Sequence, residues 1–286
     1  MKDLVVGAIT NYNFDAIEPW VNSLEKSGFT GDKAMICYNV SFDTINELTK
    51  RGFKVYGFER NEEERRLEYT KPNFNIVCER FHHLWAILQN FKDEYRYIIT
   101  TDVKDVIFQR NPSEWLEANI GQKKIVASSE SMYYKDEEHS NFALYSNYGP
   151  AIYSAYNNKL IYNAGVMAGD IETMLDVFMH IYLLCDAAPS HWNQHGGGPD
   201  QPAYNLLMHT KVYQDISRHT PSEDGWAAQL GTTGSYIADR YGDKIVDPAP
   251  IMIDGKVCTT AGEPFYIVHQ YDRIPEWKNV ILEQYV

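Results

Sequence analysis

Tyr95-Arg96-Tyr97-Ile98-Ile99-Thr100 is an aromatic and β-branched run that leads without a break into Thr101-Asp102-Val103-Lys104-Asp105. Six residues, five of this type with Arg96 among them, ending at a charged turn read as a β-strand. The pattern recurs upstream. Leu4 to Thr10 reads as a buried strand, and Ala16 to Ser27 as a helix with Ile17, Trp20, Val21 and Leu24 on one face. Ala34 to Tyr38 is a second strand. Ser41 then caps a helix that runs through Lys50, with Asp43 in its first turn, and Gly52 ends it. Lys54 to Phe58 makes a third strand, Glu59 to Asn73 a charged, irregular, exposed loop, and Cys78 to Phe91 a strong helix that feeds Tyr95. Such alternation implies an α/β fold, its parallel strands joined by helices on the sheet faces. Ligands of open sheets bind beyond the carboxyl ends of the strands. Functional residues are therefore expected just after Thr10 and Thr100.

The second half is less regular. Lys124 to Ser129 and Val166 to Ala168 read as strands, Glu172 to Cys185 and Asp200 to Met208 as helices, and His191 to Pro199 as a loop with three consecutive glycines. Leu230 to Gly262 is turn-rich with short β pieces. Pro264 to Val268 is a last strand before a helix through Tyr285. No repeat, low-complexity tract or Pro/Ser linker interrupts the 286 residues, so one continuous domain is expected.

Composition narrows the function. Lys and Arg number 26 against 39 Asp and Glu, a net charge of −13, and no basic block offers the clustered cations that sequence-independent nucleic-acid binding needs. Aromatic residues make up 14% of the chain, which suits planar bases or sugar rings as well as a core. The four cysteines, Cys37, Cys78, Cys185 and Cys258, form no CxxC pair, so reduced thiols are expected rather than a disulfide framework or zinc site. The start carries too short an apolar run for a signal peptide, and no stretch is long enough to span a membrane. The expected setting is a cytoplasm, of a bacterium or a virus-infected host.

Three places carry chemistry. Asp102 and Asp105 point to opposite faces on a straight strand but converge if the chain turns. Two convergent carboxylates repel unless a cation joins them, and hard oxygen ligands suit Mg²⁺ or Mn²⁺. The other reading is an exposed turn with Lys104 as partner. His269 ends the apolar run Tyr266-Ile-Val-His269, either as a structural histidine or as a nitrogen ligand to the same ion. Gly196-Gly-Gly-Pro-Asp200-Gln201 opens a helix, where Asp200 is a simple cap or a ligand-facing carboxylate and the glycines allow close approach. His191 and His195 flank that loop.

The order of these landmarks, with Asn163-Ala164-Gly-Val-Met167 between them and His269 followed by Trp277, resembles the GT-A-fold nucleotide-sugar glycosyltransferases. The likeness is to the glycogenin and lipopolysaccharide-galactosyltransferase type, glycosyltransferase family 8, over roughly Leu4 to Trp277. The form TDVKDVIFQRNP…HQYDR is also similar to a less studied group of GT-A proteins. The resemblance implies a single Rossmann-like domain with a mixed, mostly parallel central sheet flanked by helices. Residues 1–110 form its nucleotide-binding half and residues 111–286 its donor-sugar and acceptor half. It implies Mn²⁺ or Mg²⁺ held by Asp102, Asp105 and His269, with Asp102 also touching the ribose. Thr10, Asn11, Tyr12 and Arg80 become nucleotide contacts, Tyr12 stacking on the base. Asn163, Ala164, Asp200 and Gln201 line the donor-sugar pocket, and Asp200 is the carboxylate at the anomeric carbon. The spacing Asp-x-x-Asp is one residue longer than the family's DxD. The Gly and Lys-Pro of its HxxGxxKPW signature are replaced, leaving Arg273 or Lys278 for the diphosphate.

The implied reaction moves a sugar from a nucleoside-diphosphate sugar, a UDP-sugar first, to a glycan or glycoconjugate hydroxyl. Trp192, Trp226, Tyr236 and Glu130 to Tyr148 supply groups for the acceptor, while the charge run Asp136 to Glu138 reads as a solvated face. Two other readings compete. A nucleotidyltransferase or sugar-nucleotide pyrophosphorylase would carry a Gly-rich basic loop after the first strand, which AITNYNFD lacks. A non-catalytic nucleotide- or carbohydrate-binding module would keep the fold and tolerate loss of Asp105.

Overall fold

A computed structural model describes residues 1–71, 75–188, 198–233 and 241–286. Its first part runs β1 (Lys2–Thr10), α1 (Glu18–Lys26), β2 (Asp32–Tyr38), β3 (Val40–Ser41), α2 (Phe42–Lys50) and β4 (Phe53–Tyr56). Next come β5 (Glu59–Asn61), β6 (Arg66–Glu68), α3 (Ile76–Leu88), β7 (Tyr95–Thr101), β8 (Val106–Phe108) and α4 (Pro112–Asn119). The second part runs β9 (Ile125–Tyr133), α5 (Glu138–Tyr156), β10 (Leu160–Asp170), α6 (Ile171–Asp186), α7 (Asp200–Met208), α8 (Lys211–Ile216) and β11 (Ser217–Thr220). It closes with β12 (Ala227–Gln229), β13 (Ile251–Ile253), β14 (Lys256–Cys258), β15 (Ile267–His269) and a C-terminal helix (Pro275–Tyr285).

Seven strands make the central sheet in the order β11-β9-β10-β7-β1-β2-β4. The pairs β1–β2, β1–β7, β2–β4 and β9–β11 are parallel, whereas β10 is antiparallel to both β7 and β9. One strand, β10, therefore runs against the other six. The expected mixed, mostly parallel sheet between helical layers is present. Its two faces follow from alternation along each strand. Leu4, Val6, Ala34, Ile36 and Tyr38 face the layer of α3 and α6, whereas Val5, Ile9, Met35 and Cys37 face the side of Trp20, Val21 and Leu24. On α3 the buried positions Cys78, Phe81, Leu84 and Leu88 keep helical spacing and dock one stripe on the sheet.

A second, three-stranded sheet in the order β12-β15-β8 positions the carboxyl-end chemistry. Its register pairs His269 with Val106 and with Gln229. A strand near residue 268 is thereby laid beside the residue that follows Asp105. The backbone N–H of Gln270 donates to the carbonyl of Asp105 at 2.7 Å, and that of Asp102 to the carbonyl of Gly165 at 2.8 Å.

Two sequence expectations are corrected. Residues 59–68 are not an irregular loop, because β5 and β6 pair with β3 in a small antiparallel sheet. Leu67 anchors it at 7% exposure within a charged neighbourhood that hides the pattern. In the charge run Asp136 to Glu138, Glu138 is exposed as expected but Glu137 is not. Glu137 is buried, and its carboxylate caps α5 by accepting from the backbone N–H groups of His139 and Ser140. The helix breaks at Gly149 (φ 77°) before Pro150. All four cysteines are buried and free. Among the described residues no helix is long and apolar enough to cross a membrane.

Candidate functional site

The chain turns after β7, and the two aspartates converge. Asp102, Asp105 and His269 each offer a ligand atom within 4.8 Å of the others. His269 Nε2 lies 3.6 Å from Asp102 Oδ2 and 3.8 Å from Asp105 Oδ2. Lys104, the alternative partner of the carboxylates, instead stands 5.9 Å from the Tyr12 ring centroid.

The histidine is oriented from behind. Its Nδ1 is 2.8 Å from Gln229 Oε1, while Gln229 Nε2 donates to Ser128 Oγ at 3.0 Å. With the amide oxygen facing the ring, Nδ1 donates to it. Nε2 then faces the two carboxylates, the orientation in which metal-ligating histidines are held. Gly165 on β10 closes the wall. A Cβ there would stand 2.5 Å from His269 Cε1 and 2.9 Å from Asp102 Oδ2. Gly165→Ala is therefore expected to push the imidazole out of register and to weaken Mn²⁺ binding at least tenfold, read by calorimetric titration.

Charge explains what this cluster lacks. Burial favours a protonated Asp102, yet the Arg80 guanidinium and His269 hold its carboxyl well below the usual range. Burial pushes Asp105 up against the pull of His269, and Asp102 adds repulsion. For His269, burial opposes the charged ring, but Asp102 and Asp105 outweigh it and raise its pKa. Two adjacent carboxylates with one imidazole form a donor set that a divalent cation satisfies, and the hard oxygens with one nitrogen fit Mn²⁺ or Mg²⁺.

Arg80 ties the two halves together. Its Nη1 donates to Asp102, and its Nη2 donates to Asp200 Oδ2 at 3.2 Å and to the carbonyl of Ala164 at 3.5 Å. Asp200, in the first turn of α7, takes the arginine as well as backbone N–H groups at the helix start; burial pushes its carboxyl up even so. Asn205 clamps α7 to β10 through paired 2.7 Å bonds with the backbone of Tyr162. Asn163 then donates to Glu130 Oε1 at 2.6 Å and accepts from Gly165 N–H at 2.7 Å. Gln201 Oε1 lies 3.4 Å from both Asn163 Nδ2 and Ala164 N.

Three cavities open around the cluster. The first, about 290 Å³, is lined by Asn163, Ala164, Asp200 and Gln201 together with Glu130, Glu137, Asp102 and His269. The second, about 320 Å³, is lined by Thr10, Tyr12, Arg80, Asp102 and Asp105, and it shares Asp102 and Arg273 with the first. The third, about 310 Å³, holds Asn11, Asn39 and Arg66 and shares Tyr12 with the second. The sequence-expected residues thus fall along one cleft in the order Asn11, Tyr12, Asp102, Asp200.

Some expectations fall elsewhere. Lys278 is exposed on the C-terminal helix and lines none of these cavities. Trp226 is fully buried, 4.9 Å from Trp115, which removes it from any acceptor surface. His191, Trp192, His195, Gly196 and Tyr236 lie outside the described residues. Sequence reasoning missed Gln229, which no local pattern marks. Glu130 was visible only as part of a segment, since it sits in the polar run Ser128-Ser129-Glu130-Ser131 of a strand whose burial the sequence does not mark.

No protein-family model matches the chain, and no curated protein matches its sequence. Among solved structures, it is similar to the crystal structure of the glycosyltransferase GlyE from Streptococcus pneumoniae TIGR4, with a TM-score of 0.55 and 15% identity over 99% of this chain. The chain spans 60% of the length of that structure. The likeness is one of fold.

Proposed function

We propose that this chain is a divalent-metal-dependent glycosyltransferase of the GT-A kind, using a nucleoside-diphosphate sugar, a UDP-sugar first, and a glycan hydroxyl as acceptor. The observation that carries the reading is the Asp102–Asp105–His269 cluster at the junction of two cavities beyond the carboxyl ends of β1 and β7. A fold shared with a glycosyltransferase supports it.

In this reading Tyr12 stacks on the base and Thr10 and Asn11 contact the nucleoside, while Arg273, at the junction, faces the diphosphate. Asp102, Asp105 and His269 hold Mn²⁺ or Mg²⁺, which supplies Lewis-acid stabilisation of charge on the departing diphosphate. Asn163, Gln201 and Asp200 orient the sugar, and Asp200 presents a carboxylate near the anomeric carbon. Arg80 holds Asp102 and Asp200 at fixed separation, so the diphosphate and sugar ends of the donor are registered by one side chain. The first 110 residues then serve the nucleotide and the rest the sugar and acceptor, with His269 crossing from one half to the other.

Thermal unfolding with Mn²⁺ and each nucleoside diphosphate, repeated with EDTA, tests this. Ligand at a hundred times its dissociation constant adds about 2.7 kcal/mol, and for a chain of this length that raises Tm by about 5 °C. A metal-dependent rise with UDP is the expected result. No rise with any diphosphate would refute the nucleotide site.

A further inference from the structure

The third cavity meets the second at Tyr12 and is lined by none of Asp102, Asp105 and His269. Asn11 and Asn39 on its wall directly follow Thr10 and Tyr38, the paired last residues of β1 and β2. Both take left-handed backbone conformations, φ 56° and 51°, uncommon for residues with a side chain and frequent at ligand sites. Both amides are oriented by groups that can only donate. Arg66 Nη2 donates to Asn11 Oδ1 at 3.3 Å, and the backbone N–H of Tyr69 donates to Asn39 Oδ1 at 3.0 Å. Each amide oxygen is thereby engaged, and each Nδ2 is the donor end, with that of Asn11 reaching Thr10 Oγ1 at 3.3 Å. Arg66 Nη2 also donates to the Asn39 carbonyl at 2.8 Å, which pins the guanidinium. Its Nη1 has no hydrogen-bond or ion-pair partner among the described residues, and its Nε is buried without one. A guanidinium has donors and no acceptor. The wall therefore holds a cation fixed by one nitrogen, with donor capacity to spare.

Resting on the nucleotide reading, with the base on Tyr12 and the diphosphate at the cation cluster, we infer that Arg66 reads the edge of the base opposite the sugar and requires a carbonyl oxygen there. A base on Tyr12 with its ribose towards Asp102 turns that edge to the adjoining cavity, which holds no residue of the cluster. In uracil the edge carries O4, an acceptor, and in cytosine an amino group, a donor. The uracil oxygen accepts from Arg66 Nη1 and Asn39 Nδ2. The cytosine amino group faces the same N–H groups, and donors set against donors leave both sides unsatisfied, which costs more than the lost bond. Glu64, exposed on the same wall, is the competing reader, because a carboxylate accepts from an amino group.

The test is calorimetric titration with UDP and with CDP, Mn²⁺ present, on the wild type, Arg66→Met and Arg66→Lys. The wild type should bind UDP about ten- to a hundredfold more tightly than CDP. In Arg66→Met that ratio should fall below about threefold, through loss of UDP affinity, because the thioether keeps the bulk and removes the donors. Arg66→Lys should lower it as well, since an ammonium on a flexible stem cannot hold the Asn39 carbonyl and offer a second fixed donor. CDP bound as tightly as UDP by the wild type, or more tightly through Glu64, overturns the inference while leaving the nucleotide site intact. Failure of both diphosphates to bind overturns the reading and the inference with it. An unchanged ratio in Arg66→Met overturns the assignment to that residue, and Arg66→Lys decides it in the same way if the methionine variant does not fold.

Discussion

Under the proposed function, Asp105→Asn is expected to lower metal-dependent sugar transfer by about a thousandfold while leaving the protein folded. In that reading the carboxylate is one of three ligand groups, and loss of one would weaken both ion binding and the stabilisation of charge on the leaving group. Such stabilisation contributes several kcal/mol, and each 1.4 kcal/mol is a factor of ten in rate. The sign of the stability effect separates a ligand from a structural residue. Asp105 has a raised pKa because burial disfavours its charge. A carboxyl of that kind stabilises the metal-free fold below its unfolded pKa and loses that contribution as pH rises through the folded one. At pH 7 with EDTA, the Asn variant should therefore melt at the wild-type temperature or slightly above it. In Mn²⁺ it should melt lower than the wild type. A variant that melts well below the wild type in EDTA, or that keeps full activity, contradicts the assignment.

Arg80→Gln carries the largest expected loss of stability. It leaves two carboxylates, Asp102 and Asp200, without the guanidinium that bridges them, and removal of one partner from a buried ionic network costs about 3–5 kcal/mol. Asp102 is 37% exposed, so solvent screens part of its share, and a loss of about 3 kcal/mol is expected. Arg80→Lys should not restore it, since an ammonium lacks the planar fork that reaches both acids. The pH dependence has a definite sign. The folded pKa of Asp102 lies below its unfolded value, so its pairing contributes stability that is present above about pH 4 and lost as pH falls through the folded pKa. The gap between wild type and Arg80→Gln, measured by urea unfolding, should be widest near pH 7 and narrow towards pH 3. A gap that does not depend on pH would mean that Arg80 acts through packing alone.

Much of the frame was legible because it is written in short-range periodicity. The run Tyr95–Thr101, the stripe Cys78, Phe81, Leu84 and Leu88, and the Ser41 cap each fix their own element within a few residues. Asp102 and Asp105 were legible as a pair because three residues separate them, and His269 because it ends an apolar run. What could not be read depends on distant partners. Leu67 looks like one apolar residue among charges until β3 is brought beside it. Glu137 looks solvated until α5 forms above it and Tyr241 arrives. Arg80 looks like a phosphate contact on a helix; that it holds Asp102, 22 residues away, and Asp200, 120 residues away, is decided only by the packing of α3, β7 and α7. Gln229 orients His269 through a strand pairing that has no sequence motif.

The pairing of β8 with β15 also sets when the cluster can exist. Asp102 and Asp105 leave the ribosome well before the strand that carries His269. Chains grow from the N-terminus, and contacts between residues far apart in sequence form late because a long loop must first be closed. A nascent chain halted before residue 267 holds the central sheet but no complete ion site. In the proposed reading, an ion held by all three residues would tie β15 to the first half and slow its fraying.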